Sequence, residues 1–551
     1  MSDLLGSAAW STDPGHWRYE PLGRAGSAIH GGCFLLLGEH QTNRGYLHVR
    51  APERHMLSVA PTRSGKGVSL IIPNLLTYRG SVLVIDPKGE NAWVTAERRR
   101  ALGQKTYIVD PWNEVNGFYG SKAPMEEKSI ARFNPLSILK PESNHFIEDL
   151  AYLADALIIT ESDNQPYFDN TARELWAGLM AYVVEHPAFK DLASLGLART
   201  LLMKSDQELQ RTIRTAIGLG PDSVAAKKLA QFENFKEHPS IMSVISSART
   251  QTNFLDTPTL NESMESSDFS FEELCGGNVS IYLVLPPDQL VTYARWLRLM
   301  VSIAIRAVTR RGSQSPLGLP VLFMLDEFGT IGKLNAVAQA YGLAAGRGMI
   351  MWTFSQDLNQ LARDYPKDWE TFIANSVAVT SFAVMDNFTA DYISHALGTR
   401  TIEHQNTSTT HDTFDIAIST STSTQTMSRP LLHPDEVSHL NEEFCLIMGR
   451  FPAIYSRRIV YHKDWDLLHF ARPDPQFPRT ETVRWRALQR RLREMGSVAR
   501  LLKEYRYEVK GLRGGRYEVK SDDGTRTHTF ASDNDLWRWT YILAMDDVDS
   551  A

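Results

Sequence analysis

Residues 54–76 read RHMLSVAPTRSGKGVSLIIPNLL, in which an apolar run is followed by a glycine turn and then by a second apolar run. The turn resembles the phosphate-binding pattern G-x-x-x-x-G-K-[ST], which joins a strand to a helix. Ala60 stands at the first glycine of that pattern, and Gly67 follows Lys66 where the pattern has a hydroxyl residue. The stretch therefore predicts strand, loop and helix. It leaves open whether the loop is a nucleotide site or only a structural turn.

The glycine turn contains the two residues on which phosphate binding depends most. Gly65 lets the backbone curl so that its N–H groups face phosphate oxygens, and Lys66 reaches the β- and γ-phosphates. Ala60 in place of glycine affects only one bend of the loop. Gly67 matters more because it brings no hydroxyl to Mg²⁺, so another ligand or a water would complete the metal shell. The residues predicted to contact a nucleotide are Pro61, Thr62, Arg63, Ser64, Gly65, Lys66, Gly67 and Val68.

Acidic side chains follow two further apolar runs. VLFMLDE ends in Asp326 and Glu327, and burying adjacent carboxylates at a strand end is unfavourable unless they are used. Ligands of open α/β sheets bind at the carboxyl ends of the strands. We therefore predict that Asp326 organises Mg²⁺ and Glu327 polarises the attacking water, with a solvated strand end as the alternative. Asp86 ends another apolar run in the same way. Gln356 follows a further apolar run, where it could contact the γ-phosphate or simply lie at the surface.

The order of strand and helix patterns predicts an interrupted α/β domain. Strands alternate with helices over 54–164 and again over 263–470, which is typical of a parallel, doubly wound sheet. Residues 165–262 show helical periodicity with hardly a strand, so they are predicted to be a separately packed all-α insertion and a candidate for cargo contact. Residues 1–53 are interpreted as a lead-in of short strands and turns.

Residues 471–551 are predicted to form a small α+β C-terminal extension. The pentapeptide RYEVK occurs at 506–510 and 516–520, which favours a hairpin, with TRTHTF as a third strand and Ser532 as the cap of a last helix. The arginine-rich tail from 478 could contact DNA or protein cargo, or be a solvated helix face. The Ser/Thr-rich stretch 405–428 is interpreted as a mobile surface loop because of its low complexity.

Composition excludes several classes of protein. The chain has 551 residues and a formal net charge of −6, so any DNA contact must rely on local patches rather than on a global positive field. Its 3 cysteines are scattered without a C-x-x-C pair, which supports neither a disulfide framework nor a zinc site and suits a reducing cytoplasm. The first residues lack the order of a signal peptide, and the early apolar run CFLLLG is too short to span a bilayer.

Taken together, the motifs resemble one family. APTRSGKG, VIDPKGEN, FNPL (133–136), MLDEFGTIGKL and FSQDLNQL occur in the order and spacing of the type IV secretion system coupling proteins, the hexameric ATPases of bacterial conjugation. The resemblance runs from about 54 to 470 and includes the helical insertion. It implies a RecA-like P-loop motor fold with an inserted all-α domain, ATP and Mg²⁺ as cofactors, and a homo-hexamer. It also implies coupling of relaxase-bound single-stranded DNA, or of protein effectors, to a secretion channel.

The resemblance also implies a role for individual residues. By matching motif, Lys66 is the phosphate lysine, Asp326 the magnesium acid and Glu327 the catalytic acid. Gln356 matches the γ-phosphate sensor. Arg347, in AAGRGM, matches an arginine that reaches the nucleotide of a neighbouring subunit, although a solvated arginine on a surface turn is the alternative. The family includes loops of the form A-x-x-x-x-G-K-G, so the glycine after the lysine is compatible with a working site.

One feature departs from the family pattern, which usually begins with two transmembrane helices. None is predicted here, and the initial Met with extra sequence before the motor strand favours a naturally membrane-less member. We expect a bacterial cytoplasmic protein, peripheral at the inner membrane and attached through inner-membrane components of the secretion system. Two other functions remain open: a recruitment platform with weak or no ATP hydrolysis, and a DNA-translocating motor outside secretion. The helical insertion and the DPKGE motif argue against the second.

Overall fold

The computed structural model of the protein describes most of the chain from residue 54 to residue 477 and shorter segments outside that range. The described residues are 8–10, 19–20, 34–39, 46–50, 54–119, 130–159, 166–343, 345–411, 417–440, 443–449, 452–468, 470–474, 476–477, 502–503, 507–512, 516–524, 526–530, 536 and 539–540.

A large twisted sheet lies at the centre of the fold. In chain order the strands are β1 (Tyr19–Glu20), β2 (Phe34–Glu39), β3 (Tyr46–Arg50), β4 (His55–Val59), β5 (Val82–Asp86), β6 (Lys105–Val109), β7 (Val279–Val284), β8 (Val321–Leu325), β9 (Met349–Ser355), β10 (Ser376–Ser381), β11 (Thr399–His411), β12 (Ala417–Pro430), β13 (Phe444–Gly449), β14 (Ile454–Arg457), β15 (Tyr507–Leu512), β16 (Arg516–Ser521) and β17 (Thr527–Phe530). Within the described residues, 12 of them form one sheet in the order β1-β3-β2-β14-β13-β10-β4-β9-β8-β5-β7-β6.

The half of this sheet from β10 to β6 is parallel, as the alternation of strands and helices predicts. Strands β4, β5, β8 and β9 are buried along their whole length, because helices cover both faces of a parallel sheet. The register places Val59 beside Ser355 and Leu325 beside Thr353. The carboxyl ends of β4, β9 and β8 therefore meet at one edge, where the predicted site residues follow.

Antiparallel strands complete the other half of the sheet. β13 pairs with β10 and β14 with β13, and β14 then meets β2 at Arg457 and Glu39. The lead-in strands β1 to β3 thus extend the main sheet instead of forming a unit of their own. The chain returns to this half after about 400 residues, which brings residues beyond β14 close to the loop that follows β4.

The helices cover the faces of the sheet and fill the segment between β6 and β7. Their bounds are Ile72–Thr77, Glu90–Ala101, Phe146–Leu157, Pro166–Glu185, Leu195–Leu202, Asp206–Ile217, Val224–Leu229, Pro239–Gln251, Pro258–Ser263, Ala294–Arg311, Asn335–Leu343, Leu358–Asp364, Trp369–Ala374, Asn387–Leu397, Pro434–Ser438 and Trp465–Leu468. Among the described residues, no helix is both long enough and apolar enough to cross a membrane.

The described residues of the predicted insertion 165–262 form helices joined by turns and contain no strand, and its boundaries stay a prediction. Its separate packing also stays a prediction, and its apolar core is continuous with that of the sheet. Trp176 and Leu209 of the insertion belong to the same hydrophobic core as Leu57 and Leu325 of the sheet. The helix Phe146–Leu157 packs against both Pro166–Glu185 and Ala294–Arg311, and so carries the core from the sheet into the insertion.

The stretch 405–428 is not the mobile loop predicted from its composition. Thr399–His411 and Ala417–Pro430 pair in an antiparallel hairpin, from Thr399 opposite Pro430 to His411 opposite Ala417. Low complexity means that few residue types make up the segment, and it does not measure strand propensity. Threonine is β-branched and favours extended backbone, so a repeat of Thr and Ser is compatible with two long strands.

The C-terminal extension contains the predicted hairpin. The two RYEVK segments pair antiparallel with Val509 opposite Val519, and β17 adds the third strand. Val519 is fully buried in a small core with Leu502, Tyr507 and Leu536. Ser532, the predicted cap, and the arginine-rich residues 478–500 lie outside the described residues.

Candidate nucleotide-binding site

The loop after β4 has the backbone of an anion-binding turn. Gly65 has a φ of +88° and Arg63 a φ of 63°, both in the left-handed region. The Ser64 hydroxyl donates to the Pro61 carbonyl at 2.6 Å and closes the turn. Ala60 still belongs to the sheet, because its N–H donates to the Ser355 carbonyl at 2.9 Å. Alanine is therefore compatible with the extended backbone at position 60. The residues with left-handed backbone come later in the loop.

Four predicted site residues meet at the edge formed by β4, β8 and β9. Lys66 Nζ lies 2.7 Å from Glu327 Oε1 and 3.2 Å from Asp326 Oδ1. Gln356 Nε2 donates to Glu327 Oε2 at 2.8 Å. The phosphate lysine, the two acids and the glutamine thus form one hydrogen-bonded group. Three neighbouring strands supply them, and the Lys66–Glu327 contact joins residues 261 positions apart.

Charge within this group is unevenly balanced. Burial raises the pKa of Asp326, and the Lys66 ammonium offsets that only in part. Burial also acts on Glu327, but Lys66 and the Gln356 amide outweigh it and lower its pKa below the ordinary value. The pKa of Lys66 is raised, because both carboxylates outweigh the effect of its burial. One ammonium faces two carboxylates, and this excess of oxygen ligands and negative charge fits a hard divalent cation such as Mg²⁺.

Glu327 adopts a strained backbone. Its φ of 50° and ψ of 41° lie in the left-handed region, which is uncommon for a residue with a side chain. The Thr330 hydroxyl donates to the Glu327 carbonyl at 2.7 Å and holds the turn that follows. The Glu327 N–H in turn donates to Asp326 Oδ1 at 2.9 Å. Such strain is typical of functional sites, and here it brings both adjacent carboxylates to Lys66.

Asp86, the third acidic strand end, has a different role. It is buried and accepts hydrogen bonds from the Ala92 N–H at 2.8 Å and from Asn91 Nδ2 at 3.3 Å. Burial raises its pKa to about 7. Asp86 therefore holds the start of the helix Glu90–Ala101 against β5, and it is a supporting group beside the site rather than a member of the Lys66 group.

The structure does not bring Arg347 to this site. Arg347 ends the short turn Ala345–Arg347 just before β9, whereas Gln356 follows β9. A strand of this length separates them by roughly 25 Å. Arg347 is exposed, and its carbonyl accepts from the Ser313 N–H at 3.0 Å. The arginine lies at the opposite edge of the sheet from its own chain's loop.

The FNPL motif fixes the junction with the helical insertion instead of contacting the loop. Asn134 Nδ2 donates to the Ala193 carbonyl at 2.6 Å, and the Asn134 N–H donates to Ser267 Oγ at 3.0 Å. Asn134 Oδ1 also accepts from the Leu136 N–H at 2.9 Å. The motif thereby ties Ala193, inside the insertion, and Ser267, beyond its end, to the chain that follows β6.

Sequence reasoning missed one residue of the site, Arg458. Its guanidinium donates to Ser69 Oγ at 2.8 Å and lies over the Phe382 ring, 4.3 Å from the centroid. A Cβ built on Gly65 would be 2.4 Å from Arg458 Nη2, so the arginine covers the loop glycine directly. Arg458 follows β14, 389 residues after Ser69, and no motif marks it. Only the return of the chain to the sheet places this cation beside the loop.

With this geometry in place, comparison with known proteins identifies the family. The model of the family described as "Type IV secretory system Conjugative DNA transfer" matches residues 31–495. The chain belongs to this family. Protein VirD4 of Rhizobium radiobacter is 28% identical over 443 residues, covering 78% of this chain and 59% of the relative. Conjugal transfer protein TraG of Escherichia coli is 26% identical over 457 residues, covering 76% and 69%. This family member thus spans about three fifths of the length of VirD4.

Solved structures show the same fold. TrwB in complex with the ATP analogue ADPNP has a TM-score of 0.55 at 13% identity, covering 86% of this chain and 99% of that one. The sulfate complex of TrwB lacking its first 70 residues has a TM-score of 0.57 at 14% identity, covering 82% and 96%. The comparisons confirm the predicted RecA-like P-loop α/β fold and the resemblance to coupling proteins for this family member.

Proposed function

We propose that this protein is an ATP-driven coupling protein that recruits relaxase-bound single-stranded DNA or protein effectors and delivers them to a type IV secretion channel. The observation that carries the proposal is the contact of Lys66, on a loop with phosphate-binding backbone, with Asp326 and Glu327. TrwB has been solved in complex with ADPNP and in complex with ADP and Mg²⁺, which supports nucleotide and Mg²⁺ as ligands of the matching site here.

The residues divide the work of phosphate binding and hydrolysis. The loop 61–68 offers its N–H groups to phosphate oxygens, and Lys66 leaves the carboxylates to bind the β- and γ-phosphates. Asp326 would hold Mg²⁺, which would supply positive charge to neutralise the phosphates. Glu327, freed from Lys66 but still held by Gln356, orients the attacking water and accepts its proton. In this scheme the contacts with Lys66 hold Asp326 and Glu327 in position until phosphate binds Lys66 in their place.

Arg347 acts in a neighbouring copy under this proposal. Its place at the edge of the sheet opposite its own loop supports contact with another subunit's nucleotide rather than with its own. An arginine that meets the γ-phosphate stabilises the charge that spreads in the transition state. A ring of identical subunits, the homo-hexamer implied by the family resemblance, would supply that contact at every interface. We place the ring in the cytoplasm at the inner membrane, attached through secretion-system components.

A recruitment platform with little hydrolysis is the second candidate, and Gly67 is the observation that favours it. The residue after Lys66 lacks the hydroxyl that usually binds Mg²⁺, and an added Cβ there would meet nothing within 4 Å. The metal shell then depends on water at this corner. A platform would bind nucleotide and cargo normally, whereas a motor would also turn ATP over and respond to cargo.

ATPase assays with and without single-stranded DNA separate the two candidates. We expect hydrolysis in the wild type, stimulation by DNA, and loss of both nucleotide binding and turnover in Lys66→Ala, because the loop loses its only ammonium. Glu327→Gln should still bind ATP but lose about 10²–10⁴-fold in rate, since an amide cannot accept the proton. Exposed Lys227→Ala is the matched control and should behave like wild type.

Nucleotide affinity unchanged by Lys66→Ala would refute the site. Normal binding in the wild type without any turnover, with or without DNA, would favour the platform.

A further inference from the structure

The hairpin of β11 and β12 stands apart from the large sheet. In the part of the chain that the structure describes, these strands form a two-stranded sheet of their own. The strand Thr399–His411 has 13 residues, so the ribbon extends about 40 Å. The side chains of Gln405, Thr407 and residues 422–428 are exposed. The ribbon is thus much longer than a connection between neighbouring elements needs to be.

A ribbon of this kind is incomplete by itself. Two antiparallel strands alone are marginally stable in water, and at least a third strand or a packing partner is needed for independent stability. The outer edges of a ribbon also present N–H and C=O groups that accept another strand. Proteins usually block such edges with Lys, Pro or other charges. Arg400, Glu403, Arg429 and Pro430 lie at the base of the ribbon, but residues 404–411 and 417–427 beyond it contain no Lys, Arg, Asp, Glu or Pro. These edges therefore lack the usual protection against strand addition.

The composition of the ribbon selects the partner. Beyond its base, where Arg400 and Arg429 lie, the ribbon has no Lys or Arg to track a phosphate backbone, which argues against nucleic acid. Both strands carry the same repeat, TSTT at 407–410 and STSTST at 419–424. A copy of the ribbon beside another therefore places Thr and Ser opposite Thr and Ser, and Thr–Thr pairs across strands are favourable. Residues 404–411 and 417–427 carry no Lys, Arg, Asp or Glu that would repel the same residues of a second copy, and a register shift of two residues still pairs Thr and Ser with Thr and Ser.

We propose that the β12 edge of each hairpin pairs with the β11 edge of the hairpin in a second copy of this chain, head to tail. Such a contact uses different surfaces on the two partners, so it can close into a ring. Main-chain hydrogen bonds supply the affinity, as in other cases of strand addition. The proposal goes beyond the nucleotide site, because it assigns an assembly function to a segment that contributes nothing to phosphate binding.

A shortened hairpin tests the proposal directly. His404 and Gln425 are register partners, so residues 405–424 can be replaced by Asn-Gly, the preferred two-residue hairpin turn. We expect sedimentation velocity to show an oligomer for the full chain and a shift to smaller species for the shortened chain. Nucleotide affinity should be unchanged, which shows that the shortened chain is folded. An unchanged oligomer distribution, or a full chain that is monomeric throughout a dilution series, would overturn the proposal.

Charge pairs give a second test that a purely structural role would not pass. Thr407 lies on β11 and Thr424 on β12, and both are exposed. The double variants Thr407→Lys/Thr424→Lys and Thr407→Glu/Thr424→Glu should each lose the oligomer, because like charges meet at every contact. Mixed in equal amounts they should regain it. Thr407→Val/Thr424→Val, which keeps strand propensity, should assemble alone.

Failure of the mixed charge variants to recover assembly, with the valine control intact, would exclude pairing between hairpins. Both experiments measure assembly of a chain that binds nucleotide normally, so a negative result would refute only the pairing of hairpins. The ATPase proposal would instead be refuted by a wild-type protein that does not bind nucleotide.

Discussion

Among individual residues, the two loop glycines have opposite requirements. Gly65 combines a φ of +88° with the Arg458 guanidinium lying where a Cβ would be, so both the backbone and a neighbour demand glycine. Gly67 has neither constraint, because open space surrounds the position of its Cβ. Gly67, which departs from the usual phosphate-loop pattern, should therefore tolerate substitution. Gly65, which matches the pattern, should not.

Gly67→Ser should raise the apparent affinity for Mg²⁺ in the presence of ATP. The serine fits without displacing a neighbour and restores the hydroxyl of the usual pattern, so we expect about a fivefold gain, equivalent to roughly 1 kcal/mol. Gly67→Ala is the control and should leave the Mg²⁺ dependence of nucleotide binding unchanged. If serine and alanine give the same Mg²⁺ titration, the metal does not lie at this corner of the loop.

Gly65→Ala should weaken nucleotide binding strongly. Alanine in a left-handed conformation costs about 1–2 kcal/mol, and its methyl group would also displace Arg458 from the loop. Fluorescence titration with a labelled ATP analogue measures the loss, and thermal unfolding reports whether the fold survives. Wild-type affinity in a folded Gly65→Ala protein would show that the observed loop backbone is not the one that binds phosphate.

At the scale of single elements, β4 is held by a neutral histidine at its start. His55 is fully buried, and its Nδ1 accepts from the Met351 N–H at 3.1 Å while Nε2 lies 3.1 Å from the Ala340 carbonyl. The ring therefore donates through Nε2 and joins β4 to β9 and to the helix Asn335–Leu343. A proton on Nδ1 would break the first bond. Burial accordingly lowers the pKa of His55 to about 4.

This histidine makes the fold sensitive to mild acid. Because the folded pKa lies below the ordinary value of 6.5, the unfolded chain binds more protons between pH 6.5 and pH 4, so stability is lost as the pH falls through that window. The contribution amounts to about 2 kcal/mol between pH 7 and pH 5. Between pH 7 and pH 5, the unfolding free energy of His55→Asn should therefore fall by that amount less than the unfolding free energy of the wild type. Denaturant titrations at the two pH values measure it.

The comparison with His55→Asn cancels the other titrating groups. Burial raises the pKa values of Asp86 and Glu90 to about 7, which acts in the opposite sense, and lowers the pKa of His462 to about 4. All of them are present in both proteins. Equal pH dependence of wild type and variant would show that His55 is already accessible to protons in the folded state.

On the scale of the whole molecule, the parallel half of the sheet separates the Lys66 group from Arg347. The carboxyl edge carries the Lys66 group, and the amino edge carries Arg347. A single copy cannot bring them together, because β9 lies between them as a rigid, fully buried strand. Activity that needs both edges must therefore use two copies of the chain.

Mixing two inactive variants tests this division. Arg347→Ala lacks the arginine and Lys66→Ala lacks the phosphate lysine, so each alone should be inactive or nearly so. In mixed oligomers some interfaces pair an intact Lys66 site with an intact Arg347, and ATPase activity should partly return. An arginine in this position is worth roughly 10³–10⁵ in rate in related hydrolases. Full activity of Arg347→Ala alone, or no recovery in oligomers shown to be mixed, would remove Arg347 from the mechanism.

The sequence by itself determined the loop, the acidic strand end, the glutamine after β9 and the family. These features are local: a strand, a turn and a helix start are specified by residues within a few positions of one another, and parallel strands necessarily align their carboxyl ends. The RYEVK hairpin was predictable for the same reason. Misreading 405–428 as a loop came from using composition where the β-branched repeat carried the information.

Only the tertiary structure decided which of these parts touch and what else joins them. The Arg458 contact spans 389 residues, and the shared core of sheet and insertion joins residues as distant as Leu57 and Leu209. No short-range pattern encodes such contacts, because they result from the packing of whole elements whose surfaces are specified separately. The same packing placed Arg347 far from its own loop. The sequence thus named the chemical groups, and the arrangement of the sheet set which of them lie together within one copy and which lie apart.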